Sequence, residues 1–285
     1  PEFAIVTDYL FPGTSKESII SEMNDIHTVA AFQKQFMHPA IRAIVDKSAS
    51  GLTCDGFDNI KHGNAYVFIS NHRDIVLDSA ILQILLVEHG FETTEITFGS
   101  NLMLSPFIID FEKVNRMFMA FRDGTKREKL INSRRLSSYI RHTIIDKKTS
   151  IWIAQRSGRT KDGNDKTQER LLKMLNMSSN DNFTDSFEAL NITPVSISYE
   201  YEPCDALKVQ ELCLSMDSSY NKKSGEDLNS IITGIKTPKG RIHLSVGVPI
   251  NDELMALNDL ADEKDKIKQI ELYAKTLKGY YEKVC

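Results

Sequence analysis

Short apolar runs alternate with longer stretches in which apolar side chains recur three and four residues apart. Residues 15 to 48 have the helical spacing: "SKESIISEMNDI" opens on Ser15 with Glu17 close behind, and "TVAAFQKQFMHPAIRAIVDKSA" is interrupted by Pro39. This predicts helices, capped at Ser15 and kinked or divided at Pro39. After a polar turn around "CDGFDNIKHGN", the run "AYVFIS" (65–70) predicts a short buried strand. "DSAILQILLVEHG" predicts a buried helix stopping at Gly90, and "TEITFGS" (94–100) the next strand. The alternation then repeats through a strand at 116–122, an amphipathic basic helix in "KREKLINSRRLSSYIRHTIID" and a strand at 150–155. Further strands are expected at 192–201 and 241–250.

Strand, helix, strand in succession implies right-handed parallel crossovers. The expected fold class is α/β: a mixed, largely parallel central sheet flanked by helices, with an N-terminal helical unit at 1–50 and the α/β domain at 51–285. Residues 160–190, rich in Gly, Asn, Asp and Ser, read as a loop with one short helix, and the tail from Asp252 to Cys285 as a charged amphipathic helix. No internal repeat is visible.

Composition narrows the class. With 285 residues, 41% hydrophobic and 26% charged, the chain can bury a substantial core, which excludes wholesale disorder. No run approaches the roughly 18 apolar residues of a membrane-spanning helix, and the first residues lack a signal-peptide pattern. The chain opens at Pro1 with no initiating methionine, so it reads as a fragment of which an anchor could be a missing part. Cys54, Cys204, Cys213 and Cys285 are scattered without CxxC spacing and the seven histidines are dispersed, so neither a disulfide nor a metal site is signalled and a reducing compartment is expected. The net charge of -4 conceals an asymmetry: residues 122–173 hold fifteen Lys/Arg against six Asp/Glu, a local +9 that leaves -13 for the rest. Such a stretch attracts anions, although a solvated helical face is the plain alternative.

The chemistry gathers where strands end. In open α/β sheets ligands collect at the carboxyl ends of strands. "FISNHRDIVLD" delivers His72 just past one such end, and an aspartate a few residues on can accept a hydrogen bond from one ring nitrogen, leaving the other to act as a base. By itself such a pair is as well explained by helix capping. "MFMAFRDG" brings Arg122 past a second strand, and "IWIAQRSGRTKDG" brings Arg156, Arg159 and Lys161 past a third, interleaved with Gly158 and Gly163. Forked guanidinium groups and approachable backbone amides suit an anion such as phosphate. GxxxxGK[ST] is absent, which argues against nucleotide triphosphate hydrolysis, and GxSxG is absent, which argues against a serine hydrolase. Few aromatic residues accompany the basic stretch, so nucleic-acid binding is not expected.

Taken in order, "FISNHRDIVLD", "MFMAFRDG", "IWIAQRSGRTKDG" and "ITPVSISYE" resemble the four blocks of the glycerolipid acyltransferases, the family of glycerol-3-phosphate and 1-acylglycerol-3-phosphate acyltransferases, and most closely its bacterial members. The resemblance covers about 65 to 201. It implies that His72 takes a proton from an acceptor hydroxyl, which attacks an acyl thioester of CoA or acyl carrier protein with no covalent enzyme intermediate. It implies further that Arg122, Arg156, Arg159 and Lys161 bind the acceptor's phosphate, and that Pro194 and Val195 shape the fourth strand and an acyl groove. No cofactor or metal is implied beyond the thioester co-substrate. The implied setting is the cytoplasm, peripheral on the inner face of the membrane, with a lyso-lipid or glycerol phosphate as acceptor; a helix within 16–48 could dock there or simply pack in the core.

Two departures from the family's pattern stand out. Five residues rather than four separate His72 from Asp78, and Asp74 is a nearer rival. On a continuous helix neither spacing brings the pair to one face, since six positions is about 600°. The histidine must therefore lie on the turn before the helix, where an extra residue can be absorbed; Asp78 is the expected partner, Asp74 the rival. In the third block the usual glutamate is replaced by Gln155, Arg156 or Ser157. That leaves room for an amino-acid lipid as acceptor, or for a non-catalytic module that binds acyl lipid or carrier protein.

Overall fold

A computed structural model describes residues 7–11, 13–102, 106–121, 124–217, 220, 223, 225–260 and 262–275. At its centre lies a seven-stranded sheet: β1 (Ala49–Asp55), β2 (Val67–Ser70), β3 (Glu95–Gly99), β4 (Met117–Ala120), β5 (Ile151–Ala154), β6 (Ile192–Tyr199) and β7 (Gly240–Val246). The order across the sheet is β1-β7-β6-β2-β5-β3-β4, and among the described residues only the β6–β7 pair is antiparallel. This is the mixed, mostly parallel α/β architecture that the alternation of runs predicts. β2, in the middle, is buried at all four positions, as a strand covered on both faces must be.

Because side chains alternate along a strand, the two faces of the sheet build two cores. Phe68, Trp152, Val195, Ile197 and Leu244 face one side, together with helix α3 (His38–Ser48; Ile41, Ile44, Val45) and helix α4 (Leu77–Glu88; Ile81, Leu82, Leu85). Val67, Ile69, Ile151, Ile153 and Ile192 face the other, against helix α6 (Lys126–Ile145; Ile140, Ile144), helix α7 (Glu169–Asn176) and the C-terminal helix α12 (Glu263–Lys275; Ile267, Ile270). Burying one such Leu or Ile contributes about 1.5–3 kcal/mol, so each face alone represents a large fraction of the fold's driving force.

The first helices follow the capping rules. Ser15 accepts from Ser18 N at 3.1 Å ahead of α1 (Lys16–Asn24), and Thr28 accepts from Ala31 N at 3.1 Å ahead of α2 (Val29–Phe32). At Pro39 the chain does not break. Gln33–Met37 widens into a π turn in which His38 N–H bonds to Gln33 O, and Pro39, with no N–H to donate, sits at the start of α3.

Two local expectations need correction, and two further parts of the fold carry no expectation from the sequence. β1 is a strand, although its sequence "ASGLTCD" shows no alternation: it is an edge strand with exposed residues, paired on one side with β7. Residues 160–190 contain two helices, α7 and α8 (Phe183–Glu188), where one was expected; Asn182 supplies the cap for the second by accepting from Asp185 N. Between β6 and β7 lie α9 (Asp205–Asp217) and α10 (Glu226–Lys236), which the sequence reading did not anticipate. The tail is not one helix but α11 (Asn251–Met255), a 3-10 turn at Ala256–Asp259 and α12; residues 276–285 lie outside the described part.

Candidate active site

Past the carboxyl end of β2 the chain makes a turn, Asn71 to Val76, before α4 begins. Asn71 extends the sheet with its side chain: Nδ2 donates to Ile197 O and Oδ1 accepts from Ile197 N, both at 2.9 Å, reproducing the double bond of a strand pair against β6. Ser70 accepts from Trp152 Nε1 at 3.1 Å and donates to Asn71 O at 2.6 Å. The turn is pinned from the other side by the loop after β5, whose Gln155 N and Thr160 N donate to Ser70 O and His72 O, each at 2.8 Å.

On that scaffold His72 Nδ1 lies 2.9 Å from Asp78 Oδ2. Asp78 stands in the first turn of α4, and its carboxylate is almost fully enclosed, at 1% side-chain exposure. Oδ2 also accepts from Arg73 N at 2.6 Å and Asp74 N at 3.0 Å, while Oδ1 accepts from Tyr199 Oη at 2.9 Å. Four donors thus converge on one carboxylate, which replaces the hydration it lost on burial. The Tyr199 hydroxyl is held well above its ordinary pKa by burial, then by the negative charges of Asp78 and Asp74, so it stays a donor.

Asp74 does a different job. Its Oδ1 accepts from Val76 N and Leu77 N at 2.8 Å, capping the amino end of α4, and no bond links it to the histidine ring. Burial, and then the charge of Asp78, push its carboxyl up; among the described residues Asp74 Oδ2 has no hydrogen-bond partner. It presses on Gly234 of α10, where a Cβ would stand 2.1 Å from Oδ2.

The cations past β5 are brought to the same end of the sheet but engage separate partners. Arg159 is turned inward, 9% exposed, near enough to Asp74 and Cys204 to act on both. Lys161 pairs with Glu211 on α9, and Arg156, half-buried, donates to Thr160 Oγ1 at 3.3 Å. Arg122 lies outside the described residues. Ser157 is exposed, and its backbone N donates to Gln168 Oε1 at 3.0 Å; Gln155 is buried and accepts from Thr167. Pro194 and Val195 are both buried in β6, beside Ile69 and Ser70 of β2. The carbonyl of Pro194 accepts from Gly247 N just past the end of β7, so the N–H that proline lacks falls where the ladder is ending.

Arg73, Glu202, Lys208 and Tyr199 all take part at the site and escape the sequence reading. Arg73 bridges Asp165 Oδ2 at 2.7 Å and Glu202 Oε2 at 3.3 Å, tying together the loops after β2, β5 and β6. Lys208, on α9, donates to Arg73 O at 2.6 Å and pairs with Glu202. The fourth, Tyr199, is two positions beyond Ile197 on the same face of β6, so strand periodicity alone points it at the α4 side where Asp78 stands. A recess of about 340 Å³ lined by His62, Tyr66, Phe91, Arg116 and Ser150 opens at the opposite end of the strands and is no part of this constellation.

An α/β sheet with an aspartate-held histidine at the carboxyl end of its central strand defines the class to which comparison applies. No known family profile matches the chain, and no curated protein matches it in sequence. Among solved structures, the crystal structure of the 1-acyl-sn-glycerophosphate acyltransferase PlsC from Thermotoga maritima is similar, with a TM-score of 0.50 over 97% of this chain and 92% of that one, at 11% identity. At that identity the likeness is one of fold.

Proposed function

We propose that the chain is an O-acyltransferase that moves a fatty acyl group from a thioester of CoA or acyl carrier protein to a hydroxyl of a glycerol phosphate or lyso-lipid acceptor. The observation that carries this reading is the His72–Asp78 contact at 2.9 Å, in a turn where Nδ1 is committed to the carboxylate. With a proton on Nδ1, Nε2 is the basic nitrogen.

In the proposed reaction Nε2 takes the proton of the acceptor hydroxyl as its oxygen bonds to the thioester carbonyl carbon. The imidazolium that forms is stabilised by Asp78. Collapse of the tetrahedral adduct breaks the C–S bond, and the departing sulfur takes the proton from Nε2, so histidine ends as it began. The acceptor's phosphate would be met by Arg156, half-buried on the loop after β5, with Arg159, Lys161 and Arg122 as further donors; Lys161 would exchange Glu211 for the ligand.

The test is His72→Ala, assayed for acyl transfer from labelled acyl thioesters to a panel of lyso-lipid and glycerol phosphate acceptors. Loss of turnover by about 10³-fold or more with an unchanged melting temperature is expected. Unchanged turnover would leave the histidine without a catalytic role, and absence of transfer by the wild type across the panel would favour a module that only binds acyl lipid or carrier protein.

A further inference from the structure

Helix α6 leaves β4 at the same end of the sheet as His72, three strands away, about 14 Å across the sheet. Its second half is anchored, with Ser137, Ile140, Arg141, Thr143 and Ile144 buried. Its first half is not: every residue from Lys126 to Ile131 is exposed. Leu130 and Ile131 are 59% and 43% exposed, and Phe121, just ahead of the helix, 59%.

Around these apolar groups stand five exposed cations, Lys126, Arg127, Lys129, Arg134 and Arg135. Among the described residues none of them makes an ion pair. The one acid in the segment, Glu128, is spent on the capping box, accepting from Thr125 N at 2.7 Å. At 100° per residue, Leu130, Arg134, Arg127, Ile131 and Arg135 succeed one another within an arc of about 140°. Apolar and cationic side chains thus share one face, the composition that suits a headgroup layer, with phosphates outside and acyl chains beneath.

We propose that the projecting half of α6, with Phe121, docks this protein on an anionic lipid bilayer, Phe121, Leu130 and Ile131 entering the headgroup boundary and the five cations meeting lipid phosphates. Two observations favour a lipid surface over an acidic protein partner. Among the described residues nothing covers Lys126 to Ile131 on any side of the helix, and Leu130 and Ile131 stand about 100° apart, a spread that a fluid layer accommodates more readily than a groove of fixed shape. On the other flank of the His72 turn, α9, held to Arg73 O through Lys208, exposes Val209 and Met216, at 56% and 80%, seven residues apart and so on one helix face, a second exposed apolar strip at this end of the sheet. Among the described residues no helix is long and apolar enough to cross a membrane, so attachment through this face is by lying on the surface.

The docking does not depend on the acyl-transfer reading, and the experiment keeps the two apart. The full chain is floated with vesicles of phosphatidylcholine alone or with a third of phosphatidylglycerol. Binding to the anionic vesicles only is expected. Arg127→Glu/Arg134→Glu/Arg135→Glu should weaken it by about a hundredfold and Leu130→Ser/Ile131→Ser by about tenfold, with melting temperatures unchanged, while His72→Ala binds as wild type. No binding of the wild type to anionic vesicles, or equal binding by both multiple variants, overturns the proposal. Capture by purified acyl carrier protein that the arginine reversals abolish, without vesicle binding, would assign the face to an acidic protein instead.

Discussion

Replacing Asp78 by asparagine separates the orienting role of this carboxylate from its charge. Oδ2 receives three donors, His72 Nδ1 and the backbone N–H groups of Arg73 and Asp74, and Oδ1 receives one, Tyr199 Oη. The two backbone donors cannot turn away. They therefore hold the asparagine carbonyl at the Oδ2 position and send its NH₂ toward Tyr199, whose hydroxyl can rotate to accept. The ring keeps its tautomer, and what disappears is the negative charge beside the imidazolium. At about 4 Å between charge centres and an effective dielectric constant of about 20, that charge is worth about 4 kcal/mol, or about 10³-fold in turnover. Stability should fall by about 2 kcal/mol as charge-assisted bonds become neutral ones. Asp74→Asn, which keeps the Oδ1 cap and touches no ring atom, should change turnover by less than about tenfold. The assay is release of free thiol from an acyl thioester, with folded fraction checked by thermal melts. Should Asp78→Asn keep more than a tenth of wild-type turnover, or Asp74→Asn lose as much as Asp78→Asn, the assignment of Asp78 as the working partner fails.

Three further outcomes follow from the same structure. Tyr199→Phe removes one of the four donors to Asp78 and should cost about 1–2 kcal/mol of stability and about tenfold in turnover; a variant indistinguishable from wild type in both would show that the phenol is a bystander. Gly234→Ala should destabilise by about 2–3 kcal/mol, reversing the gain usual for a helix interior, because the new Cβ would lie 2.1 Å from Asp74 Oδ2; a raised melting temperature contradicts this. Glu112, on helix α5 (Pro106–Val114), is pushed up to about 7 by burial from an ordinary value of 4.5. The native state then holds a proton that the unfolded state releases, so this group's contribution to stability is complete below about pH 4.5 and is lost as pH rises to about 7; the unscreened shift corresponds to about 3 kcal/mol, which solvent screening reduces to about 2 kcal/mol. Urea unfolding across that window should show the slope in wild type and a flatter one in Glu112→Gln; identical slopes reject it.

What could be read from the chain depended on whether a residue's environment lies near it in sequence. β2 and β5 announce themselves because strands buried in a parallel sheet are continuous apolar runs, whereas β1 is an edge strand whose partner, β7, is about 190 residues away. Helix α9 was hidden by an inverted pattern: Lys208 is buried against Arg73 and Glu202, while Val209 and Met216 face solvent. At the site, the turn before α4 made Asp78 a reachable partner for His72, since both lie in one local segment. Tyr199, 121 residues beyond Asp78, and the pairing of Lys161 with Glu211 depend on how loops meet in space, and no local spacing encodes that.

β7 bears on how the chain assembles during synthesis. Among the described residues it is the only strand that touches β1, and it also closes the antiparallel end of β6. Until residues as far as Val246 have left the ribosome, β1 has no neighbour and the β6 edge stands open. The nascent protein therefore passes through a long interval with unpaired strand edges, the condition in which pairing with other chains competes with folding. Chaperone protection should matter most late in translation, when β6 is complete and β7 has not yet arrived.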